Sequence, residues 1–133
     1  MMQKTGWMCA IPVMAALVAL GTSPAQATEM KGKFIHHVYF WLKHPNNIQD
    51  REKLVTGLKT LASIKTIRAH HIGKPAATDR PVIDRSYSIS WMLVFDNKAD
   101  QDAYQVDPVH LAFVEKVSPV WDRVIVYDSE AID

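Results

Sequence analysis

The spacing of apolar residues changes several times along the chain, and each change marks a different element of secondary structure. Between Phe34 and Lys43 aromatic and β-branched residues dominate, which predicts a strand. From Asn47 apolar residues recur every three or four positions, which predicts a helix capped by Asn47. Strict alternation between Ser86 and Phe95 predicts another strand. The full predicted order is strand 34–43, helix 47–62, strand 64–73, loop 74–84, strand 86–95, a helical region 96–121 interrupted at 107–108, and strand 123–128.

The predicted order β-α-β-β-α-β is typical of an α+β, ferredoxin-like subunit, whose four-stranded antiparallel sheet carries its helices on one face. The other face of the sheet then needs a cover. Apolar residues occupy one face of the first strand and one face of the third: Phe34, Val38, Phe40, Leu42, Tyr87, Ile89, Trp91, Leu93 and Phe95. With no further helix predicted, we expect a homodimer whose two sheets enclose an α/β barrel.

The first 27 residues have the layout of a secretory signal, with Lys4, an apolar run and the small-residue pattern Ala25-Gln26-Ala27. Cleavage after Ala27 leaves a linker, 28–33, and a single barrel domain, 34–133, in a secreted or periplasmic protein. Cys9 is removed with the signal, so we expect no disulfide.

The charge balance narrows the choice of partners. The whole chain carries 15 Lys and Arg against 14 Asp and Glu. Because Lys4 is the only charged residue in the signal, the mature chain has a formal charge of zero. We therefore expect no binding to nucleic acid, and none to membranes after cleavage.

The stretch AYQVDPVHLAF places an Asp-Pro pair inside a helical pattern. Asp107 can cap a new helix and Pro108 suits its first position, so the pair restarts the helix rather than only ending it. His110 then falls in the first turn, on the same stripe as Phe113, and faces the sheet. A neutral imidazole is expected at this positive helix end. Spacing alone leaves open whether His110 and Tyr104 line a pocket or only contribute to the core.

Two histidine doublets, His36-His37 and His70-His71, lie in predicted strands. Adjacent strand residues point to opposite faces, so each doublet offers at most one ligand to each face. A three-histidine site with His110 lacks a supporting carboxylate or a close helical pair, so we expect no metal and no cofactor. Which of His70 and His71 faces the barrel stays open. The face of the first strand that carries His37, Tyr39 and Trp41 mixes aromatic bodies with polar tips, as ligand pockets do.

Three motifs, HHVYFWLK, AYQVDPVHLAF and VWDRVIVYD, resemble the stress-responsive α/β-barrel (Dabb) family of dimeric ferredoxin-like proteins. The resemblance extends more distantly to the family's plant polyketide cyclases, olivetolic acid cyclase among them. It implies catalytic roles for Tyr104, His110 and His37, with a histidine as base and the tyrosine holding a substrate oxygen. Ile89 stands where that cyclase has a further histidine, and Asp-Pro stands where the family usually has His-Pro.

Three functions are compatible with these features. The first is an exported barrel protein that binds a small apolar or carbonyl-containing ligand, and the second is an acid–base enzyme of cyclase or lyase type. The third is a haem-binding or monooxygenase-like barrel, in which His110 would ligate iron and Trp91 would shape the pocket. The residues expected to line the ligand pocket are Tyr39, Trp41, His71, Ile89, Trp91 and Phe113.

Overall fold

The computed structural model describes residues 25–132, so most of the predicted signal sequence lies outside the described residues. Residues 25–33 have no helix or strand and lead into the sheet. The elements then follow as β1 (Phe34–Leu42), α1 (Ile48–Leu61), β2 (Ala69–Gly73), β3 (Ile89–Phe95), α2 (Lys98–Gln105), α3 (Pro108–Val117), a 3₁₀ turn (Ser118–Val120) and β4 (Trp121–Glu130).

The four strands form one antiparallel sheet in the order β2-β3-β1-β4. This is the predicted ferredoxin-like α+β arrangement. β2 begins at Ala69 and β3 at Ile89, later than the alternation suggests, whereas β4 extends beyond both predicted ends. The extra length of β4 comes from its pairing with the whole of β1, a tertiary contact that local spacing does not encode.

The apolar stripes of β1 and β3 lie under the helices. Phe40 pairs with Ile89 and Val38 with Trp91, and all four are buried. Leucines of α1 complete this core: Leu54, Leu58 and Leu61. We expected these strand residues to create the surface that a partner covers. Instead the helices of the same chain cover them, because the most apolar face of a sheet gains most from packing against its own helices.

The face away from the helices, called here the open face, carries the alternate residues of β1. His37, Tyr39 and Trp41 lie there and are half-buried. Tyr87 precedes β3 and packs edge-on against Tyr39, with ring centroids 4.9 Å apart. The prediction that Tyr87 shares a face with Trp91 is therefore wrong, because the regular alternation begins only at Ile89.

Helix caps set the positions of the two C-terminal helices. Asn97 caps α2 through its side chain, and Asp107 caps α3 by accepting a hydrogen bond from the amide of Val109 at 2.8 Å. Pro108 occupies the first turn of α3, where no amide hydrogen is needed. The Asp-Pro pair thus separates two helices, as its position in the sequence predicts.

Candidate acid–base site

A cavity of about 130 Å³ lies between α3 and the helix-covered face of the sheet. Three polar rings line it: His36 from β1, Tyr104 from α2 and His110 from α3. The remaining walls are largely apolar and include Trp91 and Phe113. A small cavity with few polar groups favours a small ligand held in a defined orientation.

His110 reaches this cavity because Asp107 and Pro108 begin α3 two to three residues before it. Its Nδ1 donates to the carbonyl oxygen of Gln105 at 3.0 Å. A carbonyl oxygen only accepts, so in the neutral ring the proton stays on Nδ1 and Nε2 keeps a free lone pair. Burial lowers the pKa of His110, and the nearby His36 lowers it further against the opposing effects of the Gln105 carbonyl and Asp107. His110 is therefore a neutral base at neutral pH.

Tyr104 lies beside His110, with ring centroids 4.6 Å apart. Its side chain is almost fully buried at 1% exposure, and burial raises its pKa to about 12. The phenol oxygen accepts a long hydrogen bond of 3.4 Å from Nε1 of Trp91. Because Trp91 is the donor, the hydroxyl hydrogen of Tyr104 stays available for a ligand oxygen.

His36 completes the polar side of the cavity, although the sequence pointed to it only as part of a doublet and not as a catalytic or ligand-binding residue. Its Nδ1 lies 2.6 Å from Oδ1 of Asp128, its paired residue on β4. The imidazole is 5% exposed and the carboxylate 44% exposed, so Asp128 connects a buried ring to solvent. A carboxylate accepts from Nδ1–H, which leaves Nε2 of His36 as the free ring nitrogen.

A signal for His36 exists in the sequence. It alternates with Phe34 and Val38, the more apolar set of β1, and such a set faces the helices. His110 also faces the sheet from its helix, so His36 and His110 are expected to lie in the same layer between helix and sheet. The partner Asp128 could not be found in this way, because it depends on the pairing of β1 with β4.

The remaining predicted site residues divide between the two faces of the sheet. Ile89 is buried on the helix-covered face but does not line the cavity. His37, Tyr39, Trp41 and His71 lie on the open face, so the structure does not bring them together with Tyr104 and His110.

The two doublets divide in the same way. His70 pairs with Leu93 and packs near Trp91 at 5.2 Å between ring centroids, on the helix-covered face. His71 is near His37 on the open face, where burial and then the charge of His71 lower the pKa of His37. Each doublet therefore supplies one imidazole to each face.

The geometry of the described residues bears on metal and haem binding. Within residues 25–132 no three His, Cys, Asp or Glu side chains are grouped closely enough to hold a metal ion. A haem group does not fit the acid–base cavity, whose 130 Å³ is well below the about 300–1,000 Å³ of ordinary ligand pockets. In the same part of the chain, none of the helices is long and apolar enough to cross a membrane.

Comparison with known families identifies the fold. The model of the stress-responsive A/B barrel domain, Dabb, matches residues 34–131. The chain belongs to the Dabb family. No curated protein sequence matches it significantly.

Solved structures agree with this assignment. A Dabb family protein with a ferredoxin-like fold from Mesorhizobium loti is 25% identical with a TM-score of 0.64, over 77% of this chain and 100% of that one. A hydroxynitrile lyase from Passiflora edulis is 16% identical with a TM-score of 0.63, over 76% and 94%. A dimeric protein of unknown function from Bacteroides fragilis is 22% identical with a TM-score of 0.58, over 76% and 98%. The last two structures are less than 25% identical to this Dabb protein, so they show its fold and nothing about its function.

Proposed function

We propose that this Dabb protein is an acid–base enzyme acting on a small carbonyl compound in the cavity between α3 and the sheet. One observation carries the proposal: a neutral histidine with a free Nε2 and a buried phenol with a free hydroxyl hydrogen share that cavity. A binding protein needs shape and an apolar wall, but it does not need a base beside a hydrogen-bond donor.

In the proposed reaction the hydroxyl of Tyr104 donates a hydrogen bond to the carbonyl oxygen of the substrate. Nε2 of His110 removes a proton from the adjacent carbon, and the electron pair of that C–H bond moves to form an enolate. Tyr104 stabilises the negative oxygen. His110, now protonated, returns the proton either to the same carbon, which completes an exchange or a racemisation, or to the oxygen formed when the enolate attacks a second carbonyl.

The polar pair His36 and Asp128 supports this chemistry from the other side of the cavity. Asp128 holds the imidazole by one nitrogen, and its own exposure gives the pair access to solvent protons. We assign His36 as a second acid–base group that replenishes or accepts protons. A cyclase needs such a group when a water molecule leaves after ring closure.

The size of the cavity restricts the substrate. A space of about 130 Å³ accepts a compact aldehyde, ketone or short keto chain, and not a coenzyme-linked intermediate. One solved neighbour of the same fold is a hydroxynitrile lyase, so the fold is compatible with an enzymatic role.

The test is hydrogen exchange at carbon. The mature protein is incubated in D₂O with a panel of small aldehydes and ketones, and loss of the C–H signal beside the carbonyl is followed by proton NMR. His110→Gln should lower the exchange rate at least about 100-fold, as expected for loss of a general base. Tyr104→Phe should lower it about 10- to 1,000-fold through loss of the oxyanion donor.

The control for this experiment lies on the open face. His37→Gln changes an imidazole that the same sheet separates from the cavity, so it should leave the exchange rate within about twofold of the wild-type rate. Catalysed exchange that survives in His110→Gln would refute the assignment of the base. Ligands that bind with affinities altered in both variants, but without any exchange, would instead identify a binding protein.

We also propose that the protein is exported after cleavage at Ala27, and that it forms a homodimer through its open face. The dimer is supported by the exposed Tyr127 and the half-buried Tyr39, Trp41 and Tyr87 of the open face, and several neighbours are described as dimeric. Native mass spectrometry of the protein purified from the periplasm tests both points. A dimer whose chain begins at Thr28 is expected, and a stable monomer or an uncut chain would contradict the respective proposal.

A further inference from the structure

A groove of about 570 Å³, called here the α1–α3 groove, runs between the exposed sides of those two helices. Four of its lining residues belong to α1 and six to α3, so the sheet contributes none of them. The groove therefore lies on the opposite side of the subunit from the open face. It stays accessible when two open faces meet in the proposed homodimer, and the proposed acid–base reaction makes no use of it.

The floor of the groove is apolar and depends on a glycine. A Cβ built at Gly57 would lie 2.8 Å from the ring of Phe113 and 3.0 Å from a methyl group of Val117. Because position 57 has no side chain, these two buried residues pack directly against the backbone of α1. Val109 extends the apolar strip along α3 and is 38% exposed. A chain of methylene groups laid in this strip would remove apolar surface from water.

Two lysines supply the charge along the groove. Lys53 lies one helical turn before Gly57, and Lys116 directly precedes Val117, so both lie near the closest approach of the two helices. Both residues are exposed, and within residues 25–132 neither ammonium group forms an ion pair with a carboxylate. An anionic group at this point would meet two positive charges that no protein carboxylate compensates.

The other polar side chains of the groove carry no charge. Thr56 and Thr60 line it from α1, and the hydroxyl of Thr60 donates its hydrogen to the carbonyl oxygen of Gly57 at 2.6 Å. Among the described residues no Asp or Glu lines the groove. A cationic head group would therefore meet like charges and find no carboxylate to offset them.

The size of the groove and the position of its charges favour a small ligand over a protein helix. A volume of about 570 Å³ falls within the about 300–1,000 Å³ of ordinary small-molecule pockets. An acidic amphipathic helix carries negative charges along its length, whereas the two lysines lie together beside an otherwise uncharged strip. This arrangement suits a ligand with one anionic head and one uninterrupted apolar chain.

From the apolar strip and the two lysines we infer that the α1–α3 groove binds a fatty acid. Its carboxylate lies between Lys53 and Lys116, and its alkyl chain covers Val109 and Phe113. Exposed ion pairs contribute little each, so the alkyl chain supplies most of the affinity and the lysines select the sign of the head group. This site is distinct from the acid–base cavity, with which it shares the ring of Phe113 as a wall.

The experiment compares two probes that have the same alkyl chain and opposite charge. Dodecanoate and dodecyltrimethylammonium, each below its micelle-forming concentration, are titrated by calorimetry into the mature protein in the oligomeric state in which it is purified. We expect dodecanoate to bind about tenfold more tightly or better, since two attractive pairs replace two repulsive ones. Hexanoate should bind about tenfold more weakly than dodecanoate or worse, because it buries fewer methylene groups.

Variants at exposed positions test the head and the chain separately. Lys53→Gln combined with Lys116→Gln should weaken dodecanoate binding about fivefold, whereas Lys59→Gln, an α1 lysine outside the groove, should leave it within about twofold. Val109→Gln should weaken it several-fold. Leu111→Gln is the control on the same helix, because Leu111 is 56% exposed and does not line the groove.

NMR spectra of the methyl groups locate the bound chain. Dodecanoate should shift the signals of Val109 and Ala112, which line the α1–α3 groove. It should leave nearly unchanged the signals of Val124 and Val126, which line the acid–base cavity on the side of β4. An acidic amphipathic helical peptide is titrated alongside as the competing occupant.

Four results would overturn the inference. The first is equal affinity for the two head groups, or no binding of either, and the second is dodecanoate binding that the double lysine variant leaves unchanged. The third is a set of shifts confined to Val124 and Val126, which would place the chain in the acid–base cavity. The fourth is binding of the peptide alone, which would make the groove a surface for a protein partner. None of them depends on carbon–hydrogen exchange, so failure of the acid–base proposal would leave this test intact.

Discussion

Removal of the buried hydroxyl of Tyr104 should lower the stability of the protein near neutral pH and raise it at high pH. Near neutral pH, Tyr104→Phe loses the hydrogen bond from Trp91 and leaves a buried indole N–H without an acceptor. The bond is long, at 3.4 Å, so we expect a cost at the low end of the range, about 1 kcal/mol. In this pH range the variant is less stable than the wild type.

Above pH 10 the balance changes, because burial raises the pKa of Tyr104 to about 12 in the folded protein. The unfolded chain has an ordinary tyrosine pKa of about 10, so it releases the proton first and unfolding becomes more favourable. This part of the stability is fully present below pH 10 and is lost between pH 10 and pH 12. A shift of about two pKa units corresponds to about 1.4 kcal/mol lost by pH 11 and about 2.7 kcal/mol at higher pH.

Phenylalanine has no proton to lose, so the stability curves of the wild type and Tyr104→Phe should cross near pH 11. Urea unfolding, followed by circular dichroism at half-unit intervals from pH 8 to 11.5, measures both curves. Tyr127→Phe is the matched control, because Tyr127 is 63% exposed in the single subunit and the loss of its hydroxyl should cost less than about 0.5 kcal/mol near neutral pH. Parallel curves for wild type and Tyr104→Phe would refute the claim that the phenol is buried and neutral.

Three further predictions concern α1 and α3. NMR titration should give His110 a pKa below the ordinary 6.5, so kcat/KM should stay level above pH 7 and fall only in acid. A titration midpoint of His110 above 6.5 would contradict the assignment of a buried, neutral base. Gly57→Ala should lower the free energy of unfolding, measured in urea titrations, by about 1 kcal/mol. A Cβ at this position would lie 2.8 Å from the Phe113 ring, and this overpacking outweighs the gain in helix propensity. A variant more stable than the wild type would show that the Phe113 ring can move. Asp107→Ala should lower the free energy of unfolding by about 1 kcal/mol and slow carbon–hydrogen exchange, because it loosens the turn that carries His110. Asn97→Ala removes the α2 cap and should cost as much stability with a smaller effect on the exchange rate. Equal losses of rate in the two variants would show that the Asp107 cap does not position His110.

The elements that could be predicted are those whose pattern is local. The alternation in β1 and the Asp107 cap are each encoded within about ten residues, and both are present in the structure. The end of β4 and the start of β3 could not be placed, because they depend on pairing with β1.

The candidate site was predictable from its helical side only. Tyr104 and His110 follow from the interrupted helix and from the family resemblance, and they do share a cavity. Alternation places His36 and His37 on opposite faces of β1 but does not indicate which face the helices cover. The greater apolarity of the set with Phe34 and Val38 contains that information, and it favours His36. Asp128 stayed hidden because 92 positions separate it from its partner ring.

The division of each histidine doublet between the two faces has an evolutionary consequence. Neighbouring residues of β1 face the cavity under the helices and the open face in turn, so a substitution on one side need not disturb the other. Point mutations can therefore change the two sides of the sheet independently. An insertion or deletion of one residue in β1 would have the opposite effect, because it would exchange the side chains of both faces at once. We expect natural variation within this strand to consist of substitutions, with length changes confined to the loops at its ends.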